Sequence, residues 1–169
     1  MEIITGYRGT PHLTSEKERR LIRGIFGSDS VVLGTGQKLA ATVVNNTTVR
    51  IADGDLIQKG ALGGIKKGTT ENVTLSAGAS GYNRIDLICC RYEKNASSKV
   101  ESMSLVVKTG TRTTGSSPTV PSYTQGDISN GATVDEFPLY QVRFMGTSIT
   151  SVTRVAQPVK SLKEAAYWQ

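Results

Sequence analysis

Histidine and tryptophan each occur once in this 169-residue chain, as His12 and Trp168. One histidine, beside Pro11 and far in sequence from any candidate partner, leaves acid–base and nucleophilic catalysis without its commonest participant. Cysteine is almost as scarce: Cys89 and Cys90 are the only two, and they are adjacent. Neighbouring cysteines seldom bridge, because the peptide between them must distort, and a metal site would want a CxxC spacing or nearby histidines. The pair reads as two small apolar side chains in a strand. These gaps predict no catalytic residues, no metal and no cofactor, and hence a protein that is not an enzyme. No run of ~18 apolar residues suggests a membrane span. The opening MEIITGYRGTPHL lacks the apolar stretch of a secretory signal, so the expectation is a chain made in a cytosol without a signal peptide.

Aromatic residues are also few, at 6%, and hydrophobic residues reach only 37%. The core must be small-sided, and sugar-binding platforms are limited to Trp168 and the loop or edge candidates Tyr82, Tyr92 and Tyr123. What is abundant is Gly, Thr and Ser, at 18, 20 and 16 residues. That composition favours strands and turns over helices. The length fits one domain, here 1–158 as a single β-rich domain with an N-terminal arm and helix, followed by a short tail, 159–169. Charge is +6. Apart from Lys17, Arg19, Arg20, Arg23 and the pair Lys66-Lys67, the cations are scattered singly, which argues against a nucleic-acid-binding stripe.

A helix is predicted where Thr14-Ser15 supplies a capping hydroxyl and Glu18 follows Ser15 at capping-box spacing. Leu21/Ile25 and Ile22/Phe26 recur at i,i+4, so this end should rest on a sheet while Lys17, Arg19 and Arg20 stay wet, with Gly24 and Gly27 ending the helix. Short strands follow at Val31–Leu33, Lys38–Val44, Thr47–Ala52, Ala61–Ile65 and Asn72–Leu75, separated by Gly34/Gly36, Asn45-Asn46, Asp53-Gly54 and Lys67-Gly68. Asn83–Glu93 and Lys99–Thr109 read as a hairpin around Lys94–Ser98, with Met103, Leu105 and Val107 on one face. Gly110–Pro138 has no apolar period, and loops of that length tend to be functional, partner-bound or mobile. A last hairpin, Leu139–Met145 and Ile149–Val155, turns at Gly146-Thr147-Ser148, and the tail can form a helical turn. The sum is a mainly β, antiparallel, sandwich-like fold with one short N-terminal helix.

Motifs for chemistry are incomplete. Gly78-Ala79-Ser80-Gly81 has its second glycine one residue too early for a nucleophile elbow, and Gly34-Thr35-Gly36 lacks the context of a phosphate loop. Asp53-Gly54-Asp55 lacks the remaining ligands of a calcium loop and reads as a hairpin turn. Asp135-Glu136 should point to opposite sides of an extended chain, a poor arrangement for sharing a proton.

Three stretches read together carry a resemblance: ITGYRGTPHLTSEKERRLIRGIFG, YNRIDLICCRYEKN and FPLYQVRFMGTSITSV. In this order, with the LVVKTGT-type strand and the Pro/Ser/Thr-rich connection between the last two, the chain resembles tail and baseplate structural proteins of phages and prophages from Gram-positive hosts, including N-terminal modules of receptor-binding or tail-fibre proteins. The resemblance implies a virion component with a β-sandwich-like module that assembles into multimers, often trimers, with other tail or baseplate proteins as partners. Fibre proteins continue into shafts and heads, whereas this sequence ends at Gln169, which favours a short tail or baseplate adaptor. A host-surface, carbohydrate-binding module and a capsid decoration protein are the alternatives. For assembly contacts the sequence nominates apolar residues near the two ends: Ile3, Ile4, Tyr7 and Leu13 before the helix, and Leu162, Tyr167 and Trp168 in the tail.

Overall fold

The computed structural model describes Ile4 and residues 13–166. Its first sheet is organised around one long strand. β3 (Thr48–Gln58) pairs along one edge with β4 (Ala61–Thr74), and along the other with β1 (Val31–Val32) and β2 (Ala41–Asn45) in succession. The second sheet runs β6 (Glu101–Lys108), β5 (Asn83–Lys94), β7 (Val134–Met145), β8 (Ser148–Arg154). All pairings between these strands are antiparallel. The apolar core is drawn from both sheets, with Val49, Ile51, Leu56 and Val73 from the first and Ile88, Cys90, Val142 and Phe144 from the second. The mainly β, sandwich-like fold expected from the sequence is the one found, with α1 (Ser15–Phe26) before it and a short α2 (Leu162–Ala166) after it.

Asp53-Gly54 is not the hairpin turn that the sequence suggested. β3 runs straight through it with a register shift between Ala52 and Gly54. Because alternate residues of a strand face opposite sides, one extra residue switches which parity points inward. Val49 and Ile51 before the bulge and Leu56 after it thereby share the same core. Gly54 adopts φ +150°, and a Cβ there would stand 2.6 Å from the Leu39 backbone nitrogen. The true turn is Lys59-Gly60, both residues having positive φ, 50° and 90°. Opposite Asp53, the break expected at Lys67-Gly68 is an outward bulge of β4: pairing passes from Gly54↔Ile65 to Ala52↔Thr70, leaving residues 66–69 unpaired.

Other boundaries shift for similar reasons. Strand β2 starts at Ala41, because Lys38 and Leu39 take positive φ and the Leu39 N–H donates to the Asp53 carbonyl. Strand β7 starts at Val134, so the long connection is shorter than expected. That connection is also pinned: Thr113 bridges Asn83, Thr124 N–H donates to Glu136 Oε2 (2.6 Å), Gly126 N–H donates to Asp135 Oδ1 (2.8 Å), and Pro118 and Ile128 are buried. The helical turn expected in the tail is α2, and it opens with a reciprocal cap between Ser161 and Glu164.

Candidate assembly interface

Helix α1 begins one residue earlier in its logic than the sequence implied. Thr14 is the N-cap, its hydroxyl accepting from Lys17 N–H at 3.3 Å, while Ser15 is already helical. Gly24 lies inside the helix, and Gly27 alone ends it, at φ +87° with its N–H donating to the Arg23 carbonyl.

The orientation of α1 departs from that expected: Arg20 is exposed and Ile22 half-buried, as its spacing suggests, but Arg19 faces inward and Leu21, Ile25 and Phe26 face outward. Arg19 is the buried residue of the helix, at 7% exposure, whereas Leu21 and Ile25 are 58% and 57% exposed. Arg19 wins the inner position because it meets a carboxylate there. Its Nη1 donates to both Glu101 oxygens at 2.9 and 3.0 Å, and Tyr92 Oη donates to Oε1 of the same carboxylate at 2.9 Å. Burial alone would raise the Glu101 carboxyl, but the bonds from Tyr92 and Arg19 outweigh it and hold the group below its ordinary range. Burial, and then the bond to Glu101, push the Tyr92 phenol up to about 12. Gly60 lets the helix approach the β3–β4 turn, since a Cβ there would stand 2.8 Å from the Arg19 carbonyl oxygen.

The apolar side chains left outside border a groove of about 960 Å3. Ile4, Leu13, Leu21, Ile22 and Ile25 line it, together with Leu62 from β4. Leu13 and Leu62 are 52% and 61% exposed. Ile4 and Leu13, nominated from the sequence, therefore belong to this face. Ile3, Tyr7, Tyr167 and Trp168 lie outside the described residues, as does the side chain of Leu162. The residues that the sequence missed are Leu21, Ile25 and Leu62. An exposed Leu62 on a long strand is visible only once Gly60 is known to be the turn.

Elsewhere among the described residues, several chemistry-bearing groups are occupied by structural contacts. Cys89 and Cys90 are buried, and desolvation pushes both thiols up to about 12, far from a reactive thiolate. Asp135 and Glu136 do point apart. Asp135 accepts from Gln58 Nε2 at 2.8 Å, and Glu136 takes Arg91 Nη1 at 2.9 Å and Lys108 Nζ at 3.1 Å. Tyr92, considered as a sugar platform, is 2% exposed and spoken for by Glu101, whereas Tyr82 is 45% exposed. A smaller hollow of about 390 Å3 beside the β3 bulge is lined by Asp53 and Asp55, with Lys66 and Lys67 on its wall. Among the described residues no group of three His, Cys, Asp or Glu side chains is placed to hold a metal ion, and no helix is long and apolar enough to cross a membrane.

No family model matches the chain, and no curated protein is similar enough to count as a relative.

Proposed function

We propose that this chain is a structural subunit of a phage or prophage tail or baseplate, which acts by assembling with copies of itself and with other tail proteins and performs no chemistry of its own. The observation that carries this reading is the outward-facing apolar surface of α1 and β4, formed by Leu13, Leu21, Ile25 and Leu62. Large apolar side chains gathered on one exposed face and rimmed by charge mark an interaction surface. The Arg19–Glu101–Tyr92 bonds turn Arg19 inward and hold Leu21 and Ile25 on the outer side. The ordered resemblance to tail and baseplate proteins supplies the setting, a virion assembled in the bacterial cytoplasm.

Electron microscopy of intact particles carrying a tagged copy of this subunit tests the proposal. Label at the tail or baseplate is expected. Label on the capsid shell would replace the tail assignment with a decoration role, and label absent from purified particles would overturn the virion reading.

A further inference from the structure

We infer that the exposed face of α1 is covered by α1 of a second copy of this chain, with the helices side by side and parallel around a rotation axis. The inference rests on the assembly reading above and names the contact. The α-helix turns about 100° per residue, so side chains can be placed around α1 relative to Leu21, which is exposed and opposite the buried Arg19. Glu18 and Ile25 then lie about 60° and about 40° to one side, and Lys17, Gly24 and Arg20 lie about 40°, 60° and 100° to the other. One flank is acidic and apolar; the other is basic and carries the glycine.

Those two flanks are complementary to each other, and this selects both the occupant and its direction. In a cyclic arrangement with parallel helices, the first flank of each copy meets the second flank of the next. Glu18 then faces the Arg20 side of its neighbour, and Ile25 stands level with the neighbour's Gly24. An antiparallel pair centred on Leu21 would instead set like flanks together, with Arg20 about level with Arg20 and Glu18 beside the neighbour's Ile25 in place of a basic partner. Glu18 and Arg20 are exposed, and neither forms an ion pair among the described residues.

Gly24 is the second, independent observation. Mid-helix glycine costs about 0.8–1.0 kcal/mol relative to alanine, and among the described residues nothing lies within 4 Å of its Cβ position. Its φ lies outside the positive range that glycine alone tolerates. Neither turn geometry nor internal packing accounts for it, whereas a gap for Ile25 of the adjoining copy does.

The test is light scattering on the full chain at micromolar concentration, comparing the parent with Glu18→Arg, Arg20→Glu, the double swap and Gly24→Ala, with circular dichroism to check that each retains its β spectrum. The parent is expected as a multimer. Each single charge reversal should weaken association at least tenfold, the double swap should restore it, and Gly24→Ala should weaken it although alanine is the better helix former. A multimeric parent whose association is unchanged by all four variants would overturn the α1 contact while leaving the assembly reading standing. A monomeric parent would overturn both.

Discussion

Arg84 and Asp86, two residues apart on β5, form a two-pronged ion pair, Nε to Oδ1 at 2.8 Å and Nη2 to Oδ2 at 3.0 Å, with side chains only 3% and 0% exposed. The same guanidinium donates to the carbonyls of Ser76 and Ala77 and stands 4.4 Å over the Phe144 ring, while Asp86 Oδ1 also accepts from Gly110 N–H. Asn83 adds a bond to the Gly115 carbonyl. The N-R-x-D string thus fastens two loops to β5. Asp86→Ala strands a buried guanidinium and orphans the Gly110 N–H, so a loss of about 3–5 kcal/mol is expected in urea unfolding. A loss under about 1 kcal/mol would mean that the pair contributes little beyond packing.

Acid should weaken the protein through Glu136. Burial raises its carboxyl, but Thr124 N–H, Lys108 and Arg91 together outweigh that and hold it below the ordinary 4.5. A depressed carboxylate contributes stability that is complete above its unfolded value and is lost as pH falls through the folded one. Glu136→Gln should therefore be destabilised at neutral pH and show a flatter fall in stability from about pH 5 downward. Parallel pH profiles for parent and variant would contradict this.

The thiols give the opposite sign. With Cys89 and Cys90 raised from 9.0 to about 12 by burial, their contribution is complete below pH 9 and is lost as pH rises toward about 12. Native protein at about pH 8 should leave both thiols unreacted with a disulfide reagent until denaturant is added. Prompt labelling of either cysteine in the folded protein would contradict the buried placement.

Gly60→Ala should loosen α1 specifically. The added Cβ meets the Arg19 carbonyl oxygen and the Arg23 side chain, each at 2.8 Å, in a residue at φ +90°. Hydrogen exchange is expected to show α1 amides losing protection while β5 and β7 keep theirs. Unchanged protection in α1 would show that the helix is not held by this close approach.

Much of the sandwich was legible because strand alternation is local. Period alone puts Met103, Leu105 and Val107 on one face, and all three pack against the core. The helix face is not legible locally, because its orientation is decided by a partner 82 residues away, Glu101, for which nothing around Arg19 gives a signal. Asp53-Gly54 has the local chemistry of a turn, yet the pairing of β3 with β4 on both sides of it makes it a bulge. In each case a non-local bond overrode a local preference. The apolar face is half legible for the same reason: Ile4 and Leu13 follow from composition near the chain end, whereas Leu21 and Ile25 follow only from knowing which side of α1 Arg19 claims, and Leu62 only from the turn at Gly60.

The most direct test of self-assembly through the outward apolar face is the solution mass of the unmodified chain at micromolar concentration and physiological salt. The expected mass is two or more times 18.1 kDa, falling toward the single-chain mass when Leu21 and Ile25 are both replaced by serine. A parent that sediments as one 18.1 kDa chain would contradict it.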